Sequence, residues 1–547
     1  MQVFDSSAGL VIVGLILSGC SGASNSKEDD GGGSSGGRDQ SGDLEGEGGT
    51  GTETGSDGGA ATGSGGSDGG AAAGSGGAAS TGGSGAGATS SGGMPAALPS
   101  GCDSLRYADA DFTTVIEVGE GKDVADPSGV AWESLEADTL VKIFARAAPY
   151  KDKWVVNGPG TAESPIVVVG VPADGKLPII DGEGAKTRSE LDFWNEVRSV
   201  IKIGGSSKPN NDSASYITIE CLDIRGAHPD YTFANSAGNN QKYSDNAAAI
   251  TVEQGDNISL INNIIRDSGN GLFTTSSTSD VLISGNYVYK NGVSGSIYQH
   301  NSYTESVGIT FEFNHYGALC DTCGGNNLKD RSAGTVIRYN WIEDGNRQLD
   351  LVDTDHDELL NNPAYRTTLV HGNILIEGDG QGNAQIIHYG GDSGDQPFFR
   401  KGTLHLYNNT IVSTRSGNTT LIRLSSSGET LDARNNIVFV SAQGSNLAIV
   451  GTTGTANLLN NWLPTGWVTS HDSFTGSLSE AGTIEGAEPG WMDAAAQDFH
   501  LKTDSVAAGA GTARASGVPA TIFEYKKHQA GIVRSPESET DVGALAK

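Results

Sequence analysis

Three short polar runs carry the residue types that proton transfer and carboxylate recognition require: His300-Asn301-Ser302-Tyr303-Thr304-Glu305, Asn326-Asn327-Leu328-Lys329-Asp330-Arg331-Ser332, and Asn346-Arg347-Gln348-Leu349-Asp350-Leu351-Val352-Asp353. Eliminating across a uronic acid calls for neutralising the sugar carboxylate, removing the α-proton and protonating the leaving oxygen. Lys, Arg or Ca²⁺ can do the first, and Lys, Arg, His or Tyr the other two. The catalytic candidates are therefore Lys329, Arg331, His300, Tyr303 and Asp350, with Asn301, Glu305 and Arg347 as substrate-binding candidates beside them. Lys329 reads as the base, because the positive charge of Arg331 disfavours a protonated lysine while Asp330 pulls the other way. The plainer alternative is a solvated ion-pair ladder of Lys329 and Arg331 with Asp330, Asp350 and Glu343.

Two further stretches add candidates. His388-Tyr389-Gly390-Gly391-Asp392-Ser393-Gly394-Asp395 brings a His, a Tyr and carboxylates together with glycines that permit close backbone approach, so His388 and Tyr389 join the substrate-binding set; a plain turn explains it equally. Asp353-x-Asp355-x-Asp357-Glu358 has the alternating oxygens that a hard cation needs, without the glycine and distant glutamate of an EF-hand loop. Ca²⁺ is the one cofactor this suggests, against an acidic surface loop. Asp350 and Asp353, with Asp355 close by, can also be read as the paired carboxylates of a glycoside hydrolase. Trp341, Tyr303, Tyr316 and Tyr389 are candidates for stacking on sugar rings, or for the core.

These residues need a frame, and a repeat supplies it. Eight segments place an asparagine five residues after the start of a short apolar run: Ile258 to Asn263, Val281 to Asn286, Ile309 to Asn314, Thr335 to Asn340, Thr368 to Asn373, Thr403 to Asn408, Thr430 to Asn435 and Ala456 to Asn461. A period of about 23 to 35 residues marks stacked units that cannot bury their apolar face alone. Each unit reads like Thr335-Val336-Ile337-Arg338-Tyr339-Asn340-Trp341-Ile342, a β-branched and aromatic strand broken at the asparagine and then resumed. Asparagine tolerates a left-handed backbone and its amide can bond above and below, which suits a corner repeated once per coil. The expected fold is all-β, a single-stranded right-handed parallel β-helix, in which equivalent positions of successive coils lie about 4.8 Å apart. The three polar runs then fall on consecutive coils. The longest gaps between corners follow Asn340 and Asn373, and insertions in repeat proteins favour one face, so the groove is expected there.

The chain divides into a leader over 1–19, a tether over 20–100, an N-terminal cap with the first coils over 101–199, the β-helix core over 200–515 and a closing segment over 516–547. A helix or irregular segment near Asp126 to Glu136 is expected to cap the first coils. Asp498-Phe499-His500-Leu501 and Asp541-Val542-Gly543-Ala544-Leu545 look like closing segments. Leu10 to Leu17 is an apolar run too short to span a bilayer, and Leu17-Ser18-Gly19-Cys20 resembles a bacterial lipoprotein cleavage box, although the preceding residues contain Asp5 and no Lys or Arg. That resemblance implies cleavage before Cys20, lipid attachment to its sulfur and export, with the outer membrane or cell surface favoured because Ser21 is not the aspartate of inner-membrane retention. From Ser21 to Ser100 the composition cannot offset chain entropy and reads as a flexible tether. The lipid is then the only membrane contact. Cys102, Cys221, Cys320 and Cys323 permit two disulfides in an oxidising compartment, with Cys320-x-x-Cys323 open to a local bridge, a redox pair or half of a metal knuckle. A formal charge of −32 argues against nucleic acid as a partner, and it works against a polyanionic glycan unless the site is locally positive.

The segment Asp138 to Asn461 resembles bacterial right-handed parallel β-helix proteins of the pectin-lyase-like superfamily, in particular polysaccharide-degrading enzymes. Lys329 to Trp341 looks like the lysine-bearing coil of the alginate lyase and chondroitinase B group. One coil later that group carries a catalytic arginine of Arg-His-Gly character, whereas Gln348 to Asp353 stands here. Residues and resemblances together lead to the expectation of a surface-anchored monomer whose partner is a polysaccharide and whose reaction is most readily lyase cleavage of a uronate-containing glycan. Because the fold hosts several chemistries, a glycoside hydrolase and a non-catalytic carbohydrate-binding or structural protein stay as alternatives.

Overall fold

In the computed structural model, which describes residues 98–210, 214–380 and 382–547, three long sheets form a right-handed parallel β-helix. Sheet 1 has 13 strands, from Thr114–Val118 to Ser477–Ala481, and sheet 2 has 11, from Ile179–Asp181 to Ile484–Gly486. Sheet 3, also of 13 strands, contains the consecutive parallel strands Asn270–Thr274, Ser302–Thr304, Leu328–Asp330, Leu349–Leu351, Gln385–Tyr389 and Thr419–Leu424. The only α-helix among the described residues is the single turn Asp357–Leu360, and no described helix is long and apolar enough to cross a membrane. Cys20 and most of the tether lie outside the described residues.

Alternation in each strand sends one set of side chains inward, where they stack coil on coil. In sheet 1 the register aligns Ile219, Leu260, Ile283, Phe311, Ile337, Val370, Leu406, Ala433 and Leu458, all buried. Between sheets 1 and 2 runs an unbroken asparagine ladder of residues 263, 286, 314, 340, 373, 409, 436 and 461. From Asn286 onward each side-chain oxygen accepts from the backbone N–H and the amide of the preceding ladder asparagine, as where Asn314 donates from both to Asn340 Oδ1 at 3.0 and 2.9 Å. Each amide also donates to a strand carbonyl one coil back, as Asn340 does to Phe311 at 2.9 Å.

This corrects two expectations. The ladder members are Asn409 and Asn436 rather than Asn408 and Asn435. The left-handed residue of each corner is the one before the ladder asparagine: Asn262, Gly285, Phe313, Tyr339, Gly372, Asn408, Asn435 and Asn460 all have positive φ. The asparagines are selected for their amides, and the strain falls on their neighbours.

The segment Asp126 to Glu136 contains two 3₁₀ turns, Pro127–Gly129 and Trp132–Ser134, and Trp132 stacks on Trp154 with ring centroids 4.9 Å apart. Cys102 is bonded to Cys221 and Cys320 to Cys323. At the other end, the Asp498–Leu501 and Asp541–Leu545 segments fold back along the outer face of sheet 2, where Phe499, Val542, Ala544 and Leu545 join Trp341, Ile374 and Trp462 in a second apolar cluster. Trp341 is thereby buried, as is Tyr316 inside the coils, so neither offers a face to a sugar.

Replacing Asn340 by alanine strands the Asn314 donors and the Phe311 carbonyl in a dry interior. A loss of about 3 kcal/mol in unfolding free energy is expected. Denaturant titration of the variant, compared with the solvent-side change Ser477→Ala, measures it.

Candidate active site on the outer face of sheet 3

The register of sheet 3 aligns Phe273, Tyr303, Lys329, Asp350, His388 and Arg423 on five successive steps of the helix. Their immediate neighbours in sequence face the other way. Asp330 points inward, fully buried, where it accepts from Thr304, Ser332 and Thr335 hydroxyls at 2.9, 2.6 and 2.6 Å and from Arg400 at 3.2 Å. Asp330 therefore does not act on the Lys329 ammonium as the sequence suggested. Glu343 is likewise elsewhere, bonded to His315 at 2.7 Å.

Lys329 Nζ is instead held between two carboxylates, Asp350 Oδ2 at 3.0 Å and Asp392 Oδ2. Asp392 comes from the Gly390–Asp395 loop, and its other oxygen accepts from Arg331 Nη2 at 3.0 Å. Arg331 Nε donates to the Tyr303 hydroxyl at 3.0 Å, and Arg331 Nη1 reaches Asp353. Asp350 further accepts from Asn326 Nδ2 at 2.9 Å and contacts His388 Nδ1 at 2.9 Å, with Arg347 Nη1 3.8 Å away. His300 stands one coil before, its Nδ1 accepting the Asn326 N–H at 2.9 Å and its ring edge-on to Tyr303 at 5.4 Å. All five catalytic candidates thus converge on one patch.

The electrostatics reassign their roles. Burial works to lower the Lys329 pKa, but the carboxylates of Asp350 and Asp392 outweigh it and leave it above the ordinary lysine value. A lysine held protonated is a poor base, so that expected role is corrected to one of charge. Burial opposes ionisation of Asp350, yet Lys329, His388 and Arg347 hold its carboxyl well below the usual range. Burial likewise works against the Arg331 charge, and Tyr303 and Asp392 more than restore it. Burial, aided by Lys329, pushes His300 down to about 3, so its imidazole is neutral. His388 is also lowered by burial, against the opposing pull of Asp350.

The substrate-binding candidates divide. Arg347 and His388 face the patch, with Arg347 also donating to Gln385 at 3.0 Å. Glu305 lies at its edge, half-buried, bonded to Thr354 and raised by burial. Asn301 is inside, in a second amide ladder in which it accepts from Asn291 at 3.0 Å and donates to Asn327 at 2.6 Å, so it cannot meet a substrate. Tyr389 also points inward, paired in register with Leu351, and burial pushes its phenol up to about 12. Asp353 is buried and spends its carboxylate on the loop, accepting the Asp392 N–H at 2.8 Å, whereas Asp355 and Asp357 are exposed. The three do not converge, and among the described residues no group of three His, Cys, Asp or Glu is disposed to hold a metal ion. Asp392, Ser425, Arg423 and Asn270, whose Oδ1 receives the His300 N–H at 2.8 Å, had no place among the sequence candidates. Only Asp392 carried a local signal, as an acidic residue among glycines.

No family model matches the chain, and no curated protein matches it. Among solved structures it is similar to a pectate lyase, Pel9A, at 12% identity and TM-score 0.42, covering 80% of this chain and 97% of that one. It is also similar to an alginate lyase from Paenibacillus sp. str. FPU-7 at 10% identity and TM-score 0.36, covering 67% and 98%. A third is the GH136 lacto-N-biosidase from Eubacterium ramulus, at 10% identity and TM-score 0.35, covering 68% of each chain. At these scores the likenesses assign no role to any residue here.

The Asp392 carboxyl offers a test of the charge network. Burial alone would raise its pKa, and Lys329 and Arg331 hold it down at about 2. Relative to an unfolded aspartate near pH 4, about the free value, its ion pairs add stability that is complete above that pH and lost as pH falls through about 2. Asp392→Asn is expected to make the acid limb of a stability–pH curve shallower between about pH 4 and 2. An unchanged limb would show that the loop does not hold its carboxylate between the two cations.

Proposed function

We propose that this protein is a polysaccharide lyase that cleaves a uronate-containing glycan by β-elimination at the patch on the outer face of sheet 3. The observation that carries the reading is the grip of Lys329 and Arg331 on the two oxygens of one carboxylate, that of Asp392. A uronate carboxylate presents the same pair of oxygens and can take the place of Asp392 on its glycine-flanked loop. Two cations at the carboxylate disperse the charge that develops when the α-carbon loses its proton. The Tyr303 hydroxyl lies beside them, accepting from Arg331 Nε at 3.0 Å. Tyr303 takes the α-proton and, in its protonated form, returns one to the leaving glycosidic oxygen. Asp350, fixed by Asn326 and His388, positions Lys329.

Lys329 and Arg331 supply the local positive charge that an anionic substrate needs on an acidic chain. Glycoside hydrolysis by Asp350 and Asp353 is less well supported, because a hydrolase needs one carboxyl that carries a proton. Asp350 is held ionised, and Asp353 is committed to loop N–H groups and Arg331. Anchoring at the outer membrane through a lipid on Cys20 belongs to the same proposal.

With a panel of uronate polysaccharides, with and without Ca²⁺, absorbance near 235 nm is expected to rise as the unsaturated product forms. Tyr303→Phe should lower the rate by about 10²- to 10⁴-fold. New reducing ends from neutral glycans with no absorbance change would replace this reading by hydrolysis, and silence in both assays by binding alone.

A further inference from the structure

One constellation on the same face ends in a side chain, Ser425, that the elimination does not use. His388 Nδ1 lies 2.9 Å from Asp350 Oδ1, and its Nε2 lies 2.8 Å from Ser425 Oγ. Because Asp350 is an ionised acceptor, the Nδ1 nitrogen carries the proton and Nε2 presents its lone pair. The 2.8 Å contact then draws on the Ser425 hydroxyl hydrogen, for which the carbonyls of Gly391 at 2.9 Å and Tyr389 at 3.4 Å are the competing acceptors. The Gly391 N–H donates to Ser425 Oγ at 2.9 Å.

We propose that Ser425, His388 and Asp350 form a serine nucleophile relay that removes small O-acyl esters from sugar hydroxyls of the glycan at this patch. The substrate half rests on the glycan reading above; the nucleophile stands on its own geometry. Ser425 is half-buried, at the end of the strand Thr419–Leu424, and His388 and Asp350 are almost fully enclosed, which is the gradient of access such a relay needs. A Cβ on Gly390 would stand 2.7 Å from Ser425 Oγ, so glycine, at φ +135°, keeps that side of the hydroxyl clear. Arg423, beside His388 in register, and Arg347 both exert a positive field on the imidazole, a field that also favours an oxyanion forming at Ser425.

The step balances without a co-reactant beyond water. Ser425 Oγ bonds to the ester carbonyl carbon as its proton passes to His388 Nε2, and the sugar oxygen leaves with that proton. Water then attacks the acyl-serine, its proton passing through His388 to Ser425 Oγ, and the carboxylic acid departs. Asp350 is a positioning residue that fixes the His388 tautomer. Removing acyl groups frees sugar hydroxyls and clears bulk from beside the uronate carboxylate that the cation pair must reach, which gives the second activity a place beside the first.

The test treats the full chain with a fluorophosphonate probe and maps the adduct by peptide mass. The expected result is a single adduct on Ser425, absent from Ser425→Ala and slowed at least 100-fold in His388→Gln. An intact mass unchanged by the probe, or an adduct elsewhere, overturns the relay whether or not the variants fold, since it is read on the unsubstituted protein. Acetate release from an O-acetylated polyuronate, lost in Ser425→Ala, is expected in parallel. Labelling without acetate release overturns the ester assignment. Neither readout depends on the 235 nm signal, so failure of this proposal and failure of the lyase reading are separable.

Discussion

Everything at the candidate site depends on the coil-to-coil register that the asparagine ladder enforces. Each ladder amide before the last is bonded to the asparagine of the next coil and to a strand of the previous one, so a slip of one residue would leave several buried donors and acceptors unsatisfied along the stack. Because strand side chains alternate, the same slip would turn Tyr303, Lys329, Asp350 and His388 into the core and bring Asp330 and Tyr389 out. The ladder is at a different corner from the site, yet it sets which side chains the site contains.

A second constraint lies directly beneath the patch. Arg400, fully buried, donates to the carbonyls of Val352, Ser332 and Asp330 at 2.9, 2.9 and 3.0 Å and to the Asp330 carboxylate. It pins the end of the loop that carries Asp392 onto two successive coils. Removing one member of such a pair would strand the other charge in a dry interior. The loop that brings Asp392 to Lys329 and Arg331 is therefore tied down at its base, while its glycines leave the tip free to adopt unusual backbone angles. The outward face exchanges its cations and carboxylates among one another, and the inward face holds one satisfied pair. Alternation along a single strand separates the functional charge from the structural charge.

The two proposed chemistries share Asp350, which serves Lys329 with one oxygen and His388 with the other. A carboxylate placed between a cation and an imidazole orders both, and it does so because three successive strands are in register at that point. The patch thus combines a pair of cations, a phenol and a hydroxyl within five successive coils of one face.

The sequence by itself determined the solenoid. Asparagines at a steady spacing, each after a β-branched run, have no other economical structure, and the three polar runs on consecutive repeats already located the patch. It also identified Lys329, Arg331, His300, Tyr303 and Asp350 as one group, since stacking brings equivalent positions together. Only the tertiary structure decided direction. Lys329 faces out and Asp330 in, Asn301 is spent in a ladder, and Tyr389 is core, because neighbours in a strand point opposite ways and the face is fixed by register rather than by residue type. Asn408-Asn409 and Asn435-Asn436 show the same limit at a corner: two adjacent asparagines carry no local mark of which will turn left-handed and which will stack. The pairing of Asp392 with Lys329, and Ser425 altogether, were out of reach for a related reason, since each meets its partner dozens of residues away in sequence.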